Sequence, residues 1–340
     1  MWQEAEGFFM CTAINFLDQA NETVFGRTMD FYAILDPHLV SFPAGASWET
    51  MLGQTLADQY GVGGIGRHAQ HRYVLFDGVN EMGLAGGALY FKGYADFPQP
   101  SKHSGQVQLS ALDFLHYALG SCASLDDIRE RLADLTLVGI QDGLTGTVAP
   151  MHWMFTDLSG RGLVVEQTAL GLHIYENPVG VLTNSPDFPW QMTNLRNYLG
   201  VAPEQTEQVD WNGLQMEPFG QAGGTSALPG GYTPPARFVR TVFQKLHMVP
   251  PKGIEEAVVA GFHILEGVTL PNGVVKTANG TFDYTQYTAM IDLGQKVYYF
   301  KTYENPQVIQ VDMKPLWKSK EKVVQDLGSI QTSIFYGHLR

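Results

Sequence analysis

Alternating apolar and polar positions open the chain. The run Cys11-Thr-Ala-Ile-Asn-Phe-Leu gives way to a polar turn, Asp18-Gln19-Ala20-Asn21, and then to Thr23-Val-Phe-Gly-Arg-Thr-Met-Asp-Phe31. That pattern predicts a β-hairpin over 11–31. Strand-like runs recur at 73–77, 83–91, 153–157, 163–168, 179–183, 284–292, 297–303 and 307–311. The middle follows a helical period instead. One helix is predicted over 107–119. A second opens at Ser124 with a capping-box-like start, followed by Leu125, Ile128, Leu132 and Leu135. Two more lie at 238–247, with Val239, Val242, Phe243 and Leu246 on one face, and at 254–265. Residues 200–232 read as a Gly/Pro-rich loop. Strands at both ends, helices between and no regular βαβ alternation predict an α+β fold. No linker splits the chain, so 11–340 reads as one domain, with 1–10 as an N-terminal extension.

Composition narrows the class. With 340 residues, 44% of them hydrophobic, the chain can bury a large core. No apolar run reaches the ~18 residues that a membrane span needs. Lys+Arg 21 against Asp+Glu 34 gives a net charge of −13, the wrong sign for binding a phosphate backbone, so no nucleic-acid partner is expected. The two cysteines, Cys11 and Cys122, are too few for a disulfide framework and fit a reducing, cytoplasmic setting. The first ten residues carry two acids and no base, so they do not read as a secretory signal. Met10 directly precedes Cys11. Whether 1–10 is a propeptide or an early start assignment, its loss leaves Cys11 first.

Several motifs carry less than their letters suggest. Gly61-Val-Gly-Gly-Ile-Gly66 matches the dinucleotide fingerprint, but a polar segment and a strand follow it where a helix should begin. His68 and His71 have ligand-like spacing with no Glu or Cys beside them, which argues against zinc there. No Gly-x-Ser-x-Gly elbow exists for a serine hydrolase. Cys122 has no basic residue within five positions and reads as a buried apolar side chain. Cys11 differs, because Arg27 and Asp30 on the second arm of its hairpin can fold back beside it. A cation near a thiol lowers its pKa, and a carboxylate can fix an ammonium.

Cys11-Thr-Ala-Ile with Gly26-Arg-Thr-Met-Asp-Phe31 closely resembles the start of the choloylglycine hydrolase family, N-terminal-nucleophile amidases comprising penicillin V acylases and bile salt hydrolases. Further likenesses follow in family order: Asp77-Gly-Val-Asn-Glu-Met-Gly-Leu84, Leu182-Thr-Asn-Ser-Pro186 with Trp190-Gln-Met-Thr-Asn-Leu-Arg196, Phe219-Gly-Gln, and Leu228-Pro-Gly-Gly-Tyr-Thr-Pro-Pro-Ala-Arg-Phe-Val-Arg240. The resemblance runs from Cys11 to about Val311. It implies a four-layer αββα sandwich, a homotetramer or homodimer, a small N-acyl amide substrate, and neither cofactor nor metal.

Residue by residue, the resemblance makes Cys11 the nucleophile, Arg27 the arginine beside its sulfur and Asp30 the aspartate that binds the free amino group. It makes Asn184 an oxyanion donor through its side chain, Tyr90 a second donor through its backbone N–H, and Arg237 the arginine behind the nucleophile. The position of Tyr90 is usually Asn in bile salt hydrolases and tends to be Tyr in penicillin V acylases of Gram-positive bacteria. Tyr90 thus tilts the expectation toward penicillin V, with its side chain in the acyl pocket. Bile salt hydrolysis, acyl homoserine lactone cleavage and an unprocessed binding relative are the alternatives.

Overall fold

The computed structural model describes residues 10–69, 72–102 and 106–331. His71 and residues 1–9 of the extension lie outside the described residues. Among these residues the two main sheets are built on β1 (Met10–Leu17), β2 (Thr23–Phe31), β3 (His38–Phe42), β4 (Val62–Ala69), β5 (Arg72–Asn80), β6 (Ala85–Tyr90), β7 (Met151–Thr156), β8 (Gly162–Thr168), β9 (Gly171–Glu176), β10 (Val181–Leu182), β11 (Phe282–Asp292), β12 (Val297–Thr302), β13 (Ile309–Asp312) and β14 (Gln325–Ser329). The first sheet runs β10-β1-β2-β11-β12-β13, with Val275–Lys276 pairing the start of β11. The second runs β9-β8-β7-β6-β5-β4-β3-β14.

The sheets pack face to face, and side-chain alternation assigns each strand residue to a layer. On β7 and β8, Met154 and Val164 join Ile14, Phe25 and Met290 of the first sheet. Their neighbours Trp153, Phe155, Leu163 and Val165 point the other way, against Leu115 and Leu119. Those two leucines belong to α1 (Ala111–Ser121), which with α2 (Leu125–Ala133) covers the second sheet. On the far side, Phe238 and Val242 of α4 (Pro234–His247) and Phe262 and Leu265 of α5 (Ile254–Glu266) cover the first. The short α3 (Phe188–Asn194) packs Phe188 against Phe238 of α4. The result is the expected α+β, αββα sandwich. Among the described residues no helix is long and apolar enough to cross a membrane.

The predicted hairpin is present in register, with Cys11 opposite Met29 and Ala13 opposite Arg27. Several predicted elements shift, among them α4, which begins at Pro234 rather than 238, and the strand predicted over 179–183, which is only Val181–Leu182. Residues 107–110 form a strand pairing in parallel with Leu135–Val138, and the helix begins only after the Ser110 cap. Leu135 therefore leaves the α2 face and joins that pair, while Ser124 does close a capping box with Asp127. The loop predicted over 200–232 holds a small hairpin, Val209–Trp211 with Leu214–Met216. The glycine run 61–66 contains most of a strand and no phosphate loop. A Cβ on Gly64 would stand 2.3 Å from the Asp77 carbonyl oxygen of the neighbouring strand, so close backbone approach explains that glycine.

Candidate active site

The hydrogen bonds around Cys11 involve the side chains of Arg27, Asn184 and Arg237 and backbone groups of Tyr90 and Asp30, the five other predicted site residues. The strand pairing holds Cys11 between the sheets, where it is 2% exposed. Arg27 Nη2 donates to its sulfur at 2.8 Å. The guanidinium has little freedom, because Nη1 also donates to the carbonyls of Phe76 (2.8 Å) and Ala88 (3.2 Å) and Nε to that of Thr28 (3.2 Å). Behind it, Asp77 lies 3.6 Å from Nη1 and accepts 2.5 Å bonds from the hydroxyls of Tyr287 and Tyr298. Burial acts against the Arg27 charge, yet Cys11, Tyr287 and Asp77 together hold its pKa above the ordinary value. Burial also pushes the Cys11 thiol up. Arg27 opposes that rise, the Asp30 carboxylate adds to it, and the backbone N–H of Asp30 and, more weakly, Arg237 act against it.

Asn184 and Arg237 close the other side. The Cys11 N–H donates to Asn184 Oδ1 at 3.0 Å, and Arg237 Nη2 donates to the same oxygen at 2.6 Å. Arg237 Nη1 reaches the Cys11 carbonyl (2.6 Å) and Thr12 Oγ1 (2.7 Å). Thr233 caps α4, which carries Arg237 in its first turn, and Arg237 Nε also donates to the Tyr232 carbonyl at 3.0 Å. Asn184 Nδ2 donates to the Tyr90 carbonyl at 2.8 Å. Tyr90 ends β6, beyond the last rung of the β5–β6 ladder at Asp77 and Gly87.

Asp30 is placed differently. Its carboxylate accepts from Thr285 (2.5 Å) and Thr28 (3.2 Å), while Met10 still occupies the ladder position opposite it. Burial raises its pKa to about 6 against the pull of Arg237. Asp283, two residues before Thr285, is fully buried, and neither of its carboxylate oxygens has a hydrogen-bond partner among the described residues. Burial, with repulsion from Asp30, takes it to about 7.

Sequence reasoning missed the Asp77–Tyr287–Tyr298 support, Asp283, and a buried pair, His152 and Glu166. His152 Nδ1 lies 3.0 Å from Glu166 Oε1 and its Nε2 3.0 Å from the Thr183 carbonyl, directly before Asn184. Asp77 stands in a motif read from the sequence, but its partners are 210 and 221 residues away, beyond any local signal. Cys122 is buried among the α1 and α2 core residues, as expected, and takes no part. His68 meets His38 and Asp326 rather than a local ligand set.

This arrangement, a buried thiol with a fixed cation at its sulfur and an amide and a second cation at its backbone, suits nucleophilic attack on a carbonyl carbon. A profile of the linear amide C-N hydrolases, choloylglycine hydrolase family, matches residues 11–322. A bile salt hydrolase/transferase of Bifidobacterium longum subsp. longum is 33% identical over 306 residues, 88% of this chain and 94% of its own. The crystal structure of a variant of the conjugated bile acid hydrolase of Clostridium perfringens superposes with a TM-score of 0.90 at 28% identity, covering 97% of this chain and 100% of that one. The penicillin V acylase of Agrobacterium tumefaciens shares the fold, with a TM-score of 0.75 at 23% identity over 94% of this chain and 91% of its own. The chain thus belongs to the choloylglycine hydrolase family and is a linear amide C-N hydrolase.

Proposed function

We propose that this chain, with Cys11 as its mature first residue, hydrolyses the amide bond of conjugated bile acids. The substrate class follows the relatives rather than Tyr90, because relatives at 30–33% identity over nearly 90% of the chain act on bile salts. The mechanism rests on one observation, the 2.8 Å contact between Arg27 and the Cys11 sulfur within a buried, fully braced cluster.

Loss of Met10 vacates the ladder position opposite Asp30 and leaves an α-amine on Cys11. Such an amine ordinarily titrates at about 8 and a free thiol at about 8.5, so the neutral amine can take the thiol proton, directly or through water. Asp30 then holds the ammonium, and Arg27 stabilises the thiolate. Attack on the acyl carbon gives a tetrahedral oxyanion. In this reading the Asn184 side chain, released from the Tyr90 carbonyl, and the Tyr90 N–H receive it. Each such donor contributes about 10² to 10³ in rate. Arg237 keeps Asn184 and the Cys11 carbonyl in place. The amine leaves, and water hydrolyses the acyl thioester. Homotetramer or homodimer assembly and a cytoplasmic location belong to the same reading.

Penicillin V is the second reading, favoured by Tyr90 alone. The test is kcat/KM for glycocholate against penicillin V, with Cys11→Ser as the blank, on protein whose mass equals residues 11–340. A glycocholate preference supports the proposal. A penicillin V preference moves the chain to the acylase branch, and activity surviving in Cys11→Ser overturns the nucleophile.

A further inference from the structure

At the β14 end of the second sheet, three side chains distant in sequence turn their polar atoms to one point. β3 is the middle strand there, with His38 opposite Gly66 on β4 and Ser329 on β14. His68 lies two residues beyond Gly66, on the same face of its strand. Asp326 sits three residues before Ser329, across an irregularity in the β14 register. One ligand atom from each of His38, His68 and Asp326 lies within 4.8 Å of the others.

The finer geometry separates this cluster from an ordinary surface ion pair. His38 Nδ1 is 2.9 Å from both Asp326 oxygens, and His68 Nε2 is 3.5 Å from Oδ2. Donors bound to one tetrahedral zinc at about 2.0–2.1 Å stand about 3.3 Å apart, between those two separations. Two of the three ligands, His38 and Asp326, also have the polar outer support that metal sites use. His38 turns its other nitrogen, Nε2, to Asp36 Oδ2 at 3.4 Å, the carboxylate–histidine arrangement that fixes the tautomer of a ligating imidazole. Asp326 is oriented by the Tyr73 hydroxyl and the Gly328 N–H, both at 2.8 Å. The His68 ring packs on Tyr73, 4.2 Å between centroids. An ion pair needs one imidazole; here two converge on a single carboxylate.

We propose that His38, His68 and Asp326 form a binding site for a divalent cation of the zinc class, tying β14 to β3 and β4. Two imidazole nitrogens and one carboxylate oxygen suit Zn²⁺ or a late first-row metal rather than Ca²⁺ or Mg²⁺, which take all-oxygen sets. Three protein ligands leave a fourth position for water. The site shares no residue with the Cys11 cluster, so its role is to anchor the edge strand and not to run the amide chemistry.

The test is calorimetric titration of the EDTA-treated full chain with ZnCl2, alongside His68→Ala and Asp326→Asn. His68 is half exposed, so its alanine variant keeps the fold. The expected result is one Zn²⁺ per chain at micromolar affinity, weakened at least ~10-fold by either substitution, as loss of a direct ligand should cost no less than loss of an outer-shell partner. Co²⁺ provides an independent readout, giving visible d–d bands without the sulfur charge-transfer band that Cys11 or Cys122 would add. Zn²⁺ binding unchanged in His68→Ala, a sulfur charge-transfer band, or no binding below millimolar metal overturns the proposal.

Discussion

Arg27 Nη2 donates to the sulfur of Cys11 at 2.8 Å while Nη1 of the same side chain lies 3.6 Å from Asp77. One buried guanidinium thus serves the nucleophile with one nitrogen and a structural carboxylate with the other. Arg27→Gln is expected to slow alkylation of Cys11 by iodoacetamide at pH 7, since burial then raises the thiol pKa with its main opposing charge gone. It also leaves Asp77 as a buried charge without its cation, a loss of about 3–5 kcal/mol. Arg27→Gln/Asp77→Asn should recover much of that stability in urea titrations without recovering the alkylation rate. Recovery of both would mean that Arg27 acts on the fold and not on the sulfur.

The carboxylates of Asp283 and Asp30 make a different prediction, about pH. Asp283 has a folded pKa of about 7 against an ordinary 3.8, so between those values the folded state keeps a proton that the unfolded state releases. Stability therefore falls as pH rises from about 4 to about 7. Asp283→Asn removes the Asp283 part of that dependence and leaves the part that Asp30, raised to about 6, contributes below that pH. It should be more stable than wild type by about 1–3 kcal/mol at pH 8, and the gap should close near pH 4. Chemical denaturation at the two pH values decides it, and a constant gap would refute the assignment.

His152 predicts a split between catalysis and thiol reactivity. Its imidazole bridges Glu166 and the Thr183 carbonyl and stacks on Phe91 with centroids 4.3 Å apart, so it braces the residue before Asn184 and the residue after Tyr90. His152→Ala should lower kcat by about 10²-fold, the cost of one misplaced oxyanion donor. KM and the rate of Cys11 alkylation should stay near wild type. His152→Gln, which can still donate to the Thr183 carbonyl, should restore part of kcat. Loss of alkylation in parallel would indicate general unfolding instead.

What the sequence makes legible follows from distance along the chain. Cys11 and Arg27 lie on one face of one hairpin, so alternation alone brings them together, while Asp30, opposite Met10, falls on the other face. Asn184 and Arg237 lie 173 and 226 residues from Cys11, and only the family resemblance joins them to it. The support beneath Arg27 is illegible for a related reason: Asp77, Tyr287 and Tyr298 come from strands of both sheets, and each alone reads as an ordinary strand residue. Residues 107–110 read as helix because Val107 and Leu109 stand directly before the helical apolar pattern that follows, although Gln108 and Ser110 alternate with them. Their strand character depends on a parallel partner at 135–138 that no local pattern reveals. The His38–His68–Asp326 cluster shows the same limit, since its carboxylate enters from the last described strand.

Tyr90 offers the sharpest test of specificity. It is 4% exposed, ends β6, and through its carbonyl holds the Asn184 amide. Only the side chain distinguishes it from Asn, because the backbone groups facing Asn184 are common to both. Tyr90→Asn should therefore leave the acylation machinery intact and act on the acyl group. An aromatic ring packs well against phenoxyacetyl, and ring–ring contacts contribute about 0.5–1.5 kcal/mol beyond area burial. The substitution is accordingly expected to shift the ratio of kcat/KM for penicillin V to that for glycocholate about 2- to 10-fold toward the bile salt. Equal loss on both substrates would assign Tyr90 to positioning Asn184. An unchanged ratio at full activity would place its side chain outside the acyl pocket.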